Sequence, residues 1–221
     1  MEEQEEARWH QLLNVHRTRK ILTGQLGGIE KLESGWMVAV TYFNGFRIII
    51  PMNEMMINLQ CDGRENADTL NRQVRIANNM LGCDIDFIIK DLDNKSRSVV
   101  ASRKDAMLKK RQTFYIGEDT EKPMLYEGRI VEARVIAVAP KAVRLEVFGV
   151  EVSVRARDMA WEWMVDAGEK FQVGDLVLVM VNKVEASSVD QIIIEVDSES
   201  VVITGLEVNN KLVEIGREVN G

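Results

Sequence analysis

Four aspartates, Asp84, Asp86, Asp91 and Asp93, crowd into the stretch GCDIDFIIKDLD. Carboxylates this close together are the raw material of a metal-dependent nuclease. Here they lie along one strand and its turn, interleaved with Ile85, Phe87 and Ile89, so the polar face of an amphipathic strand is the favoured reading. Cys61 and Cys83 have no CxxC spacing and no histidine cluster beside them, and read as reduced thiols rather than as a metal or disulfide pair. His10 and His16, the only histidines, lack a third ligand. The chain carries no Walker loop, GxGxxG, HExxH, nucleophile elbow or supported Cys–His pair. The expectation is a protein that is not an enzyme and has no cofactor and no metal.

A second chemistry is written in cations. Arg97, Arg103, Lys104, Lys109, Lys110 and Arg111 form the densest basic cluster. On a helix Arg103 shares a face with Lys110, and Lys104 with Arg111. Such a face either holds phosphates or is simply solvated, and the cluster alone does not separate the two. The net charge of −7 argues against a generic, strongly basic nucleic-acid binder. The charge is uneven: residues 20–122 hold 15 basic and 14 acidic side chains, residues 126–197 hold 8 and 13. Phosphate contacts need Lys and Arg, whose binding releases counterions, so the first half is better supplied.

An internal repeat says which elements position these groups. Residues 24–55, GQLGGIEKLESGWMVAVTYFNGFRIIIPMNEM, align without a gap on residues 128–159, GRIVEARVIAVAPKAVRLEVFGVEVSVRARDM. Gly24 falls on Gly128, Gly45 on Gly149 and Met55 on Met159. The match resumes with GCDIDFIIKDLD over GDLVLVMVNKVE. Between the two blocks the first copy carries extra residues within 65–81, where Leu70, Val74, Ala77 and Leu81 recur at helical spacing. Inside each copy the period is that of strands. Asn44-Gly45 is a two-residue hairpin turn, Phe148-Gly149 takes its place in the second copy, and Pro51 ends the third strand. Residues 83–90 and 98–101 make a further hairpin around Asp93-Asn94-Lys95.

The predicted fold is mainly β with added helices: two tandem five-stranded OB-type barrels, the first with a helical insertion between strands three and four. Its segments are an N-terminal helix (residues 1–19), module one (20–115, insertion 65–81), a linker (116–125), module two (126–197) and a tail (198–221). Residues 103–115 should form a helix leaving module one. In DMAWEWMVDAGEKF, residues 158–171, Trp161 and Trp163 belong to a helix that either caps the second barrel or docks a partner. At 46% hydrophobic the chain can build a core. It has no apolar run long enough to cross a membrane, and its acidic start, MEEQEEARWH, is unlike a signal peptide. No membrane association and a cytoplasmic location are expected.

In this order and spacing the motifs resemble the S-one domain, the RNA-binding repeat of the largest protein of the bacterial small ribosomal subunit. Gly24 opens the first strand, Gly35 precedes the second, IIIPMNEM closes the third, Gly82 opens the fourth, and the fifth runs into Val99-Val100-Ala101-Ser102-Arg103-Lys104. The WHQLL segment resembles the helix that leads into such a repeat. The likeness covers residues 8–115 and, more loosely, 126–197.

The resemblance implies binding of single-stranded RNA on a face made mainly by the second and third strands, with aromatics stacking on bases and cations holding phosphates. The family's platform positions fall on Ser34, Met37 and Pro51 in module one and on Val138, Lys141 and Arg155 in module two. None is aromatic. Its late Asp and Arg fall on Asp93 and Arg97. Alternation places Trp36, Tyr42 and Phe46 on the core side and leaves Phe43 toward RNA. The expected contacts are Met37, Phe43, Arg47, Arg97, Arg103, Lys104, Lys141 and Arg155. Two functions follow. One is a non-enzymatic protein that binds single-stranded RNA weakly and with little sequence preference, in translation or RNA handling. The other is a docking adaptor that has lost the stacking face and meets the ribosome or another protein through its acidic second module.

Overall fold

The computed structural model describes residues 2–57, 67–117, 123–156 and 166–197. The expectations for Cys61, Trp161, Trp163, half of the linker and the tail lie outside the described residues. Helix α1 (Glu2–Thr18) leads into β1 (Leu22–Lys31), β2 (Met37–Phe43) and β3 (Phe46–Pro51). A 3-10 turn and α2 (Ala67–Asn78) precede β4 (Asp84–Asp93) and β5 (Ser98–Ser102). Helix α3 (Arg103–Arg111) runs on through a π-helical turn, Gln112–Ile116. The second set is β6 (Ile130–Ala139), β7 (Ala142–Val147), β8 (Val150–Arg155), β9 (Leu176–Ser188) and β10 (Gln191–Asp197).

The first five strands close into a barrel in the order β1-β2-β3-β5-β4, with β3 and β5 parallel. Closure depends on β1 serving two neighbours. Its first half pairs with β4 and its second half with β2, and a bulge at Gly27 makes the bend. Gly24 sits where β1 presses on β2: a Cβ there would lie 2.7 Å from Thr41 Oγ1. The second five strands form a sheet ordered β10-β9-β6-β7-β8, whose ends β10 and β8 lie against each other. Strand β6 is shared between β9 and β7 and bulges at Ile136, as β1 does at Gly27. The mainly-β, two-barrel expectation and the helix between strands three and four therefore hold.

The duplication is visible in single hydrogen bonds. Leu26 N–H donates to Cys83 O and Gly82 N–H to Leu26 O; Val135 N–H donates to Asp175 O and Gly174 N–H to Val135 O. Leu26 is thus the counterpart of Val135, not of the residue that the ungapped alignment gives. Seven residues separate Glu30 from its partner Val38, and only two separate Ala139 from Ala142. The shorter loop moves the first strand of module two by five positions, and Gly24 does not correspond to Gly128.

Each barrel is plugged by the helix before it. Trp9 and Leu12 of α1 are buried in the first core, where Trp9 meets Phe46 edge-on at 5.3 Å and donates its indole N–H to Asn94. Tyr115, just past α3, is buried in the second core and donates its hydroxyl to Val147 O at 2.7 Å. Helix α3 is the joint. It packs on β4 of the first barrel and reaches the β7–β8 turn of the second.

Candidate nucleic-acid interface

Cross-strand register defines the exposed face. In β2 and β3, Phe43 faces Phe46, Thr41 faces Ile48 and Ala39 faces Ile50, and these pairs point into the barrel. Buried Thr41 satisfies its hydroxyl on Gln25 O at 2.8 Å. The other parity points out: Tyr42 opposite Arg47, Val40 opposite Ile49, Val38 opposite Pro51. This inverts the expectation for Trp36, Tyr42 and Phe43, while Phe46 lies in the core as expected. Trp36 and Tyr42, expected inside, are each 57% exposed, while Met37 and Phe43, expected toward RNA, are half-buried against the core. A slip of one residue moves every side chain to the opposite face.

Tyr42 stands at one end of this outer face and exposed Trp36 just before the start of β2, about 20 Å apart at the rise of a strand. Between them, Arg47 reaches Glu30 at 2.5 Å. Glu30 lies opposite Val38 and Arg47 opposite Tyr42, so the ion pair crosses β2 above Val40. The two accessible rings therefore lie at either end of a stretch whose outward Val38 and Val40 are themselves buried, with the charged strap across it.

The other predicted cations are more deeply engaged. Arg97 binds Glu6 at 2.5 Å and lies 4.7 Å over the Trp9 ring. Arg103 is fully buried; it donates to Met55 O at 2.9 Å, to Glu151 at 3.2 Å and to Glu146. Burial alone would favour its neutral form, but the two glutamates overcome this and hold it charged. Arg103 is therefore an internal counterion, out of reach of phosphate. Sequence reasoning missed this because its partners are 43 and 48 residues away. Lys104, beside it at the start of α3, is half-buried. No continuous cationic stripe runs from Arg47 through Arg97 to Arg103.

In module two, Arg155 faces Ala142, and Arg144 faces Ser153. Arg155 and the neighbouring Lys141 are both exposed. Arg144, absent from the expected contacts, lies 3.7 Å from Glu151. The register would have revealed it, since it shares the outward parity of Arg155. At the other end of the row, Glu146 and Glu151 are taken up by Arg103.

The aspartates separate too. Asp93 anchors its turn by accepting from Lys95 N–H and the Ser96 hydroxyl. Asp86, far from a solvated strand face, is buried between the modules. It accepts from Thr23 at 2.6 Å, Arg134 at 3.1 Å and Lys110. Burial pushes its carboxyl up, but Lys110, Thr23 and Arg134 together bring it below the ordinary value of 3.8. A depressed folded pKa means that the unfolded chain binds the extra proton first, so this stabilisation is complete above pH 3.8 and disappears as pH falls through the lower folded value. The urea midpoint of the wild type should drop in that acid window. Asp86→Asn should flatten the drop, and an unchanged acid slope in the variant would show that Asp86 is not linked to folding. Cys83 lies at the same seam, with its thiol pushed up to about 11 mainly by burial, which fits an inert thiol.

One closed five-stranded barrel and one barrel-like five-stranded sheet, joined through one helix and consistent with two OB-type barrels, define a scaffold class. Residues 125–192, nearly all of the second barrel, match the S1 RNA binding domain family. Among solved structures, the chain is similar to a multidomain protein with nucleic acid binding domains from Streptococcus pneumoniae, at 11% identity and a TM-score of 0.23. That match covers 88% of this chain and 48% of the other, so this chain spans about half the length of that relative. No helix among the described residues is long and apolar enough to cross a membrane.

Proposed function

We propose that this protein binds single-stranded RNA weakly and with little sequence preference, without catalysing a reaction, in translation or RNA handling in the cytoplasm. The exposed rings of Trp36, just before β2, and of Tyr42, on its outer face, carry the reading. Large rings left in solvent at the two ends of a strand offer π-faces that any base can use. Lys141, Arg144 and Arg155 on the second barrel supply phosphate contacts, and the S1 match of that barrel supports the same class of ligand. The test is fluorescence anisotropy of labelled oligouridylate at low salt. Trp36→Ala and Tyr42→Ala should each weaken binding about tenfold, within the roughly 1–3 kcal/mol of one stacked base. Absence of wild-type binding at micromolar concentrations, or indifference to both substitutions, would overturn the proposal.

One observation favours the docking-adaptor reading: Arg47, Arg97 and Arg103 are all neutralised within the chain. On that reading the acidic second module meets the ribosome or another protein, and captured partners survive RNase. Partners lost entirely on RNase treatment would exclude it.

A further inference from the structure

We propose that the cleft between the two barrels is a phosphate site, receiving a backbone phosphate of single-stranded RNA as the strand leaves the outer face of β7 and β8. The cleft has a volume of about 170 Å³ and gathers Arg72 from α2, Arg111 from α3 and Arg144 from β7, over a floor that includes Met56 and Met107. Three arginines from three separate elements line it together with one carboxylate, Glu151. That carboxylate is already shared, at 3.2 Å from Arg103 and 3.7 Å from Arg144. The cleft is left with excess positive charge.

Arg111 is the most telling of the three. It is buried, and its acceptors are the carbonyl oxygens of Gly149 at 2.7 Å, Val189 at 3.2 Å and Asp190 at 3.5 Å. These are neutral groups, and no ion pair of Arg111 occurs among the described residues. Burial pushes its pKa down, and Tyr115, Glu151, Asp190 and Glu146 do not bring it back. A buried cation held only by carbonyls is stabilised by any anion that reaches it. Several arginines lining one cleft suit the tetrahedral oxygens of phosphate.

The position of Arg144 selects a polyanion over an isolated ion. It lines the cleft and also faces Ser153 in the row that continues to Arg155. A strand laid along that row is led into the cleft. Arg72 and Arg111 lie outside the residues that match the S1 family. The site is therefore a product of the helix inserted in module one and of the docking of two barrels, and it gives α2 a role. The RNA source rests on the function proposed above; the anion site rests on the cleft alone.

The experiment follows the arginine side-chain Nε–H resonances of the full chain by NMR, titrated separately with inorganic pyrophosphate and with short oligouridylate. Both ligands should shift Arg72, Arg111 and Arg144. Arg72→Ala and Arg144→Ala, at side chains that reach solvent, should each weaken RNA binding about threefold and reduce the slope of log K against log salt by about 0.7, the value of one single-strand phosphate contact. RNA binding with an unchanged slope in both variants and no shift of the three arginines would overturn the cleft and leave the RNA reading intact. Shifts with pyrophosphate but none with RNA would overturn the RNA source alone. Silence with both ligands would overturn the proposal entirely.

Discussion

Arg103→Met should destabilise the protein by about 3–5 kcal/mol, the cost of removing one partner from a buried ion pair. Arg103 ties three points together: Met55 O from the first barrel, and Glu146 and Glu151 from the two neighbouring strands of the second. Its removal takes the donor from Met55 and leaves Glu146, 5% exposed, without its cation. Much of the loss is therefore a stranded carboxylate rather than the worth of the pair. A second substitution exposes this. Arg103→Met combined with Glu146→Leu should recover more than half of the deficit, because apolar groups of similar volume replace charged ones without a desolvation cost. Glu151 is partly solvated and keeps Arg144 as a neighbour. Urea unfolding followed by circular dichroism measures all three proteins. A single variant with the wild-type midpoint, or a double variant worse than the single one, would show that this cluster does not hold the barrels together.

The features legible in the sequence were those whose cause is local. Asn44-Gly45 and Phe148-Gly149 adopt positive φ at both positions, at 53° and 86° and at 44° and 85°, the geometry of a type I′ hairpin turn. The periodic Leu70, Val74 and Ala77 gave α2, with Ala77 buried on the core. What failed was non-local. In MVAVTYF both parities are apolar, so alternation could not say which side faces in. The closed barrel decides it by burying Ala39 and Thr41, while Val38 and Val40, facing outward, are covered as well. Helix α3 carries cations that look solvated in sequence. Their acceptors, Asp86, Glu146 and the carbonyl of Gly149, come from β4 and from the second barrel. The first strand of module two sits five positions from its gapless match because a loop shortened by five residues is invisible to such a comparison.

The duplicated fold uses one place in two ways. Tyr42 and Arg47 flank the β2–β3 turn and stay exposed; Glu146 and Glu151 flank the β7–β8 turn and receive Arg103. The turns themselves allow a paired experiment. A Cβ on Gly149 would lie 2.5 Å from Met107 O and 3.0 Å from Met107 Cα, both backbone atoms of α3 that cannot swing aside. A Cβ on Gly45 would meet only Arg8 Nη1 at 3.1 Å, the end of a long exposed side chain. The two glycines share nearly the same φ, 85° and 86°, so alanine at either carries the same dihedral penalty of roughly 1–2 kcal/mol. Gly45→Ala should lose that and no more. Gly149→Ala must also lift the turn from α3, which threatens the Arg111 bond to Gly149 O and the Tyr115 bond to Val147 O, each 2.7 Å long. At about 1 kcal/mol for a neutral hydrogen bond and more for one with a charged donor, its total should reach roughly 4 kcal/mol. The difference between the two variants in urea midpoint isolates the close approach of α3 to the second barrel. Equal losses would mean that the turn and helix are not pressed together, and that the barrels are joined by the chain rather than by their packing.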